Sequence, residues 1–256
     1  MDAADLFSAV RAGDLEAVDR ILSERPALAQ ASDLDGLSAL TVAAYHRRWP
    51  IVERIRADAP DLDRFEAAIV GDVGLLEARL DEAEREAEIE RGTADGRPTR
   101  GAAADGTAAD GTGGDEAPDI EPPVDERSSD GFSALHLAAF FGRAEVARRL
   151  LDRGADPNLW ATGGIRVQPL HSAVAGGHES IAAMLVEAGA DVNAVQDGGS
   201  TPLMGAARNG LVTTVALLLA RGADPTAYDQ DILTAADHAD RAGHPDVAGT
   251  IRAAGG

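Results

Sequence analysis

The chain has 256 residues, of which 45% are hydrophobic but only 4% aromatic, a composition that favours close-packed helices over a β-sandwich. Its formal net charge is −21 and all 23 basic residues are arginine, so we expect no general binding to nucleic acid, because an acidic surface repels phosphate backbones. The chain has no cysteine, which excludes disulfides, thiolate metal sites and a cysteine nucleophile.

The N-terminal segment MDAADLFSAVRAGDLEAV carries Asp2 and Asp5 where a signal peptide would carry positive charge. No part of the chain approaches the roughly 18 consecutive apolar residues of a membrane span. We therefore expect a monomeric cytoplasmic protein without membrane contact. The absence of lysine leaves two explanations open, a genome rich in G and C or adaptation to high salt.

The first eighty residues contain three related segments. LFSAVRAGDLEAVDRIL is typical of a helix pair without a preceding hairpin, which suits an N-terminal cap. DGLSALTVAAYHRRWPIVERI, from Asp35, follows the pattern of the later segments. FEAAIVGDVGLLEARL repeats the cap-like form, with Phe65 and Gly71 each 58 positions beyond Phe7 and Gly13. We interpret the second and third segments as degenerate repeats.

An acidic insertion follows the third segment. From Gly71 to Gly142 is 71 residues, where one repeat should take 33, so about 38 are extra. DEAEREAEIER should extend the preceding helix to about Arg91. Residues 92–128 are mostly Gly, Ala, Asp and Pro and predict a disordered segment. Residues 81–128 hold 15 acids against five arginines, or −10, which suits either a solvated loop or an element that competes for a basic partner's groove.

The residues after the insertion repeat one another at a fixed period. The glycines that end the first helices, and the Gly-Ala-Asp triplets after the second helices, recur at steps of 35 and 33 residues. A weaker fourth copy has Gly243 at 33 residues beyond Gly210. In each copy a cap residue such as Ser133 or Thr201 precedes a short helix, and apolar residues such as Leu150 and Leu218 recur at helical spacing in the next. Such short helices are stable only against their neighbours.

These repeats resemble the ankyrin-repeat family, whose 33-residue unit is a β-turn and two helices with a T-P-L-H-x-A motif. The matches are Thr201-Pro202-Leu203, Gln168-Pro169-Leu170-His171 and Ser133-Ala134-Leu135-His136. The resemblance covers roughly 128–256 closely and 1–80 less closely. It implies an all-α solenoid of about seven helix-turn-helix repeats with a disordered acidic insertion, in which 1–91 and 129–256 form one continuous stack around 92–128.

No motif of an enzyme or a cofactor site is present. The lack of lysine excludes a Walker A loop and a Schiff-base enzyme, and none of the six histidines forms an HExxH pair. The family resemblance implies that His136 and His171 brace the hairpin backbone. We therefore predict no catalytic residue, no cofactor and no metal.

In the ankyrin family the hairpin tips and the first helices form a concave surface that contacts partners. Mapped onto this chain, the resemblance implies ten partner-binding residues: Leu37, Tyr45, Phe132, Phe140, Phe141, Trp160, Val167, Ser200, Arg208 and Asn209. Phe140 and Phe141 either anchor a partner or pack beneath the insertion, and the same alternatives apply to Trp160. Arg47 and Arg166 replace family glycines, which puts the local turns in question.

The resemblance implies a non-catalytic protein–protein interaction module, an adaptor or a regulator that masks its partner. The partner is another protein, whose identity the sequence leaves open. One alternative is an accessory subunit that contributes only when assembled with a catalytic chain. Another is an immunity-type inhibitor that directs its acidity against a basic toxin.

Overall fold

The computed structural model describes residues 2–94 and 123–256, with side chains for 2–89 and 123–256. Within those residues the chain forms fourteen α-helices, arranged as seven pairs, and no strand. The first helices of the pairs are α1 (Ala3–Ala12), α3 (Ala39–Tyr45), α5 (Arg64–Val70), α7 (Ala134–Phe141), α9 (Pro169–Gly176), α11 (Pro202–Arg208) and α13 (Ala235–Ala242). The second helices are α2 (Leu15–Glu24), α4 (Trp49–Asp58), α6 (Val73–Ala94), α8 (Ala144–Asp152), α10 (Glu179–Glu187), α12 (Val212–Ala220) and α14 (Pro245–Gly255). The predicted all-α solenoid is confirmed.

The first helices are short because the sequence caps them at both ends. The hydroxyls of Ser133 and Thr201 accept hydrogen bonds from backbone N–H groups in the first turns of α7 and α11. Gly142 ends α7 with a φ of 74°, a left-handed conformation that favours glycine. Arg47 adopts the same conformation after α3, with a φ of 55°, so the turn is kept where the family glycine is missing. We expect this to cost about 1–2 kcal/mol.

Hairpins between successive pairs stack along one edge of the molecule. Three of these hairpins each contain one isolated antiparallel β-bridge. The bridges pair Ser32 with Ser38, Arg127 with Ser133 and Tyr228 with Thr234. The backbone N–H of Thr162 donates to the carbonyl of Gly131 at 3.0 Å, and that of Gln230 donates to Gly198 at 3.1 Å. The third pair has no such hairpin, because residues 60–63 lead directly into α5. The hairpins therefore form a single row with one member absent.

One connected apolar core runs between the pairs. Its largest fully buried side chains include Leu6, Leu22, Leu40, Ile55, Ile69, Leu76, Leu135, Leu150, Leu170 and Ile181. Leu150 and Leu218, predicted to lie in the core, are both 0% exposed. Because each pair buries its apolar face against the next, the core depends on the stacking of successive repeats.

Asparagine side chains link the turns that follow the second helices. The Asn158 amide donates to the carbonyl of Gly189 at 3.0 Å and accepts from the N–H of Asp191 at 2.7 Å. Asn193 makes the same two bonds to Gly222 and Asp224, each 2.9 Å long. This pattern supports a structural role for the aspartates that recur once per repeat.

Helical structure extends into the predicted 92–128 segment at both of its ends. Helix α6 continues to Ala94, a few residues past the predicted end at about Arg91. Its acidic face contacts Arg153, directly after α8, whose guanidinium lies 2.6 Å from the Glu77 carboxylate. Residues Pro123–Asp125 form a 3-10 helix, and the buried Asp125 carboxylate accepts the N–H of Asp156 at 3.0 Å. Ordered structure therefore reaches into the predicted 92–128 segment from both sides. Its central part, 95–122, lies outside the described residues.

Candidate functional site

The hairpins and the first helices share one surface, which we call the inner face. Three neighbouring first helices, α7, α9 and α11, carry its central part, and the hairpin before each helix folds against the helix start. Gly205 allows close packing of α11 on α9, because a Cβ at this position would lie only 2.9 Å from Cγ1 of Val174. Equivalent positions of the three helices therefore lie side by side on this face.

A groove of about 250 Å³ opens on this part of the inner face. We call it the central groove. Its lining comprises Phe132, Phe140, Ile165, Val167, His171, Ser172, Val174, Ala175, Gln196, Ser200, Thr201, Pro202, Gly205 and Arg208. Five of the ten predicted partner-binding residues are thus brought together, namely Phe132, Phe140, Val167, Ser200 and Arg208. They come from three successive repeats.

The charge of the central groove differs from that of the whole chain. Although the chain has 44 acidic residues, no carboxylate is among the described residues that line the groove. Arg208 is its one formally charged residue at neutral pH. It is exposed and forms no ion pair with the part of the chain that the structure describes, unlike Arg153 or Arg54. Among its described lining residues the groove is therefore mainly apolar, with Arg208 as an unpaired cation.

Two buried histidines brace the hairpins beside the groove. Nε2 of His136 donates to the carbonyl of Val167 at 3.1 Å, and Nε2 of His171 donates to that of Ala194 at 3.2 Å. A carbonyl oxygen only accepts, so Nε2 carries the ring proton. Burial lowers the pKa of both imidazoles to about 4. His171 is therefore neutral at physiological pH, and the structural role predicted for both residues agrees with this geometry.

An aromatic cluster lies next to the groove. The ring of Phe141 lies 5.8 Å from those of both Tyr45 and Trp49 and 5.1 Å from that of Phe140. The Arg143 guanidinium covers Trp49 at 4.9 Å. Phe141 is only 9% exposed, which favours the packed alternative over an exposed partner contact. The rings that contact it, Tyr45 and Trp49, belong to the second repeat.

Phe140 separates the central groove from a second cavity. That cavity has a volume of about 450 Å³ and is lined by Arg47, Trp49, Glu53, Phe140, Phe141, Arg143, Gly176 and His178. Phe140 is half-buried and lines both spaces. Trp49 and Arg143 were missed by the sequence argument, since neither falls at a family contact position. The scarcity of tryptophan, with two in the chain, was the signal for Trp49.

The other predicted residues lie outside the central groove. The Tyr45 hydroxyl donates to the Asp130 carboxylate at 2.5 Å, and burial together with this bond raises the pKa of Tyr45 above its ordinary value. Leu37 lines a separate cavity of about 560 Å³ between the hairpins of the second and fourth repeats.

Trp160 and Asn209 are also held by neighbours. The Arg166 guanidinium covers Trp160 at 4.4 Å. The Asn209 amide donates to the carbonyl of Val174 at 2.9 Å, and its polar contact with a partner stays a prediction.

Ile165 is a groove residue that the sequence argument did not select. It follows Gly163-Gly164 in the longer, 35-residue repeat and is 58% exposed. An isoleucine directly after two glycines in a hairpin was the available signal, because the tip of such a loop is solvated. Ile165 adds a large apolar side chain at the groove opening.

No group of histidine, aspartate and glutamate in residues 2–89 and 123–256 is arranged to hold a metal ion. No helix in the described ranges is both long and apolar enough to cross a membrane.

Short helix pairs in a row, hairpins along one edge and an open groove across several repeats define a helical-repeat solenoid. In this class the binding element is an extended surface. A family profile described as ankyrin repeats (3 copies) matches residues 162–229, and one described as ankyrin repeats (many copies) matches residues 135–186. Residues 135–229 therefore belong to the ankyrin-repeat family, which confirms the resemblance.

Ankyrin repeats are in general protein–protein interaction modules and are typically non-catalytic. Every residue that lines the central groove except Phe132 lies within the matched range. The search of curated proteins finds no match to the chain.

Proposed function

We propose that the chain is a non-catalytic protein-binding module, and that one copy of it binds a partner protein on the inner face at the central groove. The observation that carries this proposal is the set of partly exposed apolar side chains at the groove, with Phe132, Phe140 and Ile165 at its walls and opening. Clusters of large apolar side chains on a solvated surface mark interaction sites. Aromatic anchors contribute most to such interfaces.

The chemistry of the groove supports binding without catalysis. Its titratable side chains are His171 and Arg208. Both ring nitrogens of His171 are occupied, Nε2 by the Ala194 carbonyl and Nδ1 by the N–H of Gln168. Neither nitrogen is therefore free to accept or donate a proton to a bound molecule.

An adaptor and a regulator would use the same surface. An accessory or inhibitory subunit would use it too, and would differ in what happens to the partner. Once a partner has been isolated, measuring its activity with and without the chain separates these forms of the proposed function. An adaptor leaves that activity unchanged, and a regulatory or inhibitory subunit alters it.

A peptide display library selected on the full-length chain tests the proposed surface. We expect selected peptides to lose at least tenfold in affinity, about 1.4 kcal/mol, when Phe140→Ser and Ile165→Ser are combined. The matched control is Val212→Ser on α12, an apolar-to-polar change at a residue that is 65% exposed. Peptides that bind the double variant and the control equally well would rule out the central groove as the binding surface.

A further inference from the structure

We infer that the central groove takes one bulky apolar side chain of the partner, and that Arg208 pairs with an acidic residue two or three positions from it. This inference rests on the proposed function, because it names the chemistry of the segment that would dock there. It follows from three properties of the groove, which are its size, its charge and the order of residues across it.

The size of the groove fits a side chain. Its volume of about 250 Å³ is below the range of about 300–1,000 Å³ typical of small-molecule sites. Its apolar lining includes Phe132, Phe140, Val167, Val174 and Pro202. An apolar side chain such as that of Leu, Met or Phe would bury its surface against these groups.

The charge of the groove favours a carboxylate beside that side chain. Arg208 carries the single formal charge among the described lining residues and has no ion pair within them. Asp197 follows the lining residue Gln196, but its carboxylate accepts the backbone N–H of Arg166 at 3.0 Å. A free guanidinium pairs in a bidentate manner with a carboxylate.

The acidic charge of the whole chain opposes an acidic partner only weakly at this distance. At physiological ionic strength the Debye length is about 8 Å, so distant surface carboxylates are largely screened. The contact with Arg208 is direct and is screened less. The charge of Arg208, rather than the net charge of the chain, therefore determines which partner residues are favoured beside the groove.

The order of residues across the groove determines how far apart the apolar residue and the acidic residue of the partner lie in its sequence. Phe140, Ala175 and Arg208 occupy equivalent positions near the ends of α7, α9 and α11. The small Ala175 leaves room for an apolar side chain between the other two. Neighbouring helices lie about 8–10 Å apart, which corresponds to two or three residues of extended chain at about 3.3 Å each.

A peptide array tests this chemistry with defined probes. Each peptide carries one Leu or Phe in a Gly/Ser background, with Asp, Lys or Ser placed one to five positions away on either side. We expect the labelled full-length chain, in about 0.15 M salt, to bind Asp peptides at least fivefold more tightly than Lys peptides at a spacing of two or three. Affinities are then measured by fluorescence anisotropy.

Two charge-reversal variants complete the test. Arg208→Glu should invert the preference from Asp to Lys, whereas Arg221→Glu should preserve it. Arg221 is an exposed arginine after α12, so both variants change the net charge equally. Circular dichroism melting curves confirm that each variant is folded.

The outcomes distinguish this inference from the proposed function. Equal binding of Asp and Lys peptides at every spacing, or an unchanged Asp preference in Arg208→Glu, would overturn the inference. If Phe140→Ser with Ile165→Ser still removes array binding in that case, the proposed function stands. Array binding that survives the combined Phe140 and Ile165 change would overturn both.

Discussion

The hydroxyl of Ser129 donates a hydrogen bond to the backbone carbonyl of Gly36, 93 positions earlier in the chain, at 3.2 Å. It joins the hairpins of the second and fourth repeats at the place where the third repeat has none. Arg143 makes another link in this region, since its Nε donates to the carbonyl of Ile69 at 2.7 Å. These contacts involve no residue of 95–122. We propose from them that the repeats on both sides of the insertion form one continuous stack.

Replacing residues 95–122 with an eight-residue Gly/Ser linker should leave the fold intact. The linker must join Ala94 to Pro123. Pro123 lies close to Ala87, since both line one cavity, and the helix from Ala87 to Ala94 carries the chain about 10 Å further. Eight extended residues reach about 26 Å, which is enough to close this gap. We expect one cooperative transition and a free energy of unfolding changed by no more than about 1 kcal/mol. Urea denaturation measures it. A loss of several kcal/mol would show that the removed residues stabilise the stack.

Leu150→Ala and Leu218→Ala should each lower the free energy of unfolding by roughly 2–5 kcal/mol, because each removes a fully buried side chain and leaves a cavity. Val212→Ala is the matched control at an exposed position. Because repeats contact only their neighbours, hydrogen exchange should increase first around the altered repeat. A loss below about 1 kcal/mol would contradict the core position of these leucines.

Gly131→Ala should be more destabilising than Gly154→Ala. The two glycines have nearly equal φ values, 85° and 84°, so the conformational penalty of a side chain is the same, about 1–2 kcal/mol. A Cβ on Gly131 would overlap the backbone of Gly163 in the next hairpin, whereas around Gly154 the space is open. Thermal or urea denaturation of both variants measures the difference. An equal decrease in the free energy of unfolding of both variants would show that neighbouring hairpins can move apart with little loss of stability.

The repeat pattern was sufficient to predict the helix pairs, because glycines and caps at fixed intervals determine where short helices begin and end. The left-handed Arg47 shows the limit of that argument. The turn is kept without its glycine, closed by hydrogen bonds from the N–H groups of Arg47 and Arg48 to the carbonyls of Ala44 and Ala43. The contact of Asp125 with Asp156 joins segments 31 positions apart, and the composition of 92–128 gave no signal for it.

The candidate site was predictable only in part for the same reason. Positions such as Phe132 and Arg208 follow from the repeat frame, and the structure places them on one groove. Whether a side chain at such a position is exposed depends on residues of another repeat. Phe141 is covered by Tyr45 and Trp49, and no spacing rule within a single repeat reports that contact.

Stability should decrease as the pH is lowered from about 6.5 towards 4. Burial lowers the pKa of His136 and His171 from 6.5 to about 4, so in this window the unfolded chain binds protons that the folded chain does not. Each histidine then contributes up to about 1.4 kcal/mol per pH unit. Above pH 6.5 both states are neutral at these residues, and their contribution is constant.

His171→Gln should reduce this slope, whereas His46→Gln at an exposed position should not. Urea denaturation at pH 7, 6 and 5 gives the slopes, and the difference between variant and wild type removes the contribution of the carboxylates. An identical slope in His171→Gln would mean that the imidazole is accessible to protons in the folded chain.

Phe140→Ser and Phe141→Ser should separate binding from stability at two adjacent positions. Phe141 is buried against Tyr45 and Trp49, so its loss should lower the free energy of unfolding by about 3–5 kcal/mol. Phe140 is half-buried at the groove, so its loss should cost less stability. It should, however, weaken binding of groove-selected peptides at least tenfold.

Trp160→Ser provides the comparison for these two changes. Trp160 is predicted from the sequence to contact the partner as Phe140 does, but its ring lies against the Arg166 guanidinium and does not line the groove. We therefore expect peptide affinity to fall less in Trp160→Ser than in Phe140→Ser. Affinity is measured by fluorescence anisotropy without denaturant, and stability by urea denaturation of the same samples. If Phe140→Ser instead lost stability as Phe141→Ser does and kept its peptide affinity, Phe140 would be a core residue and the partner would dock on another part of the stack.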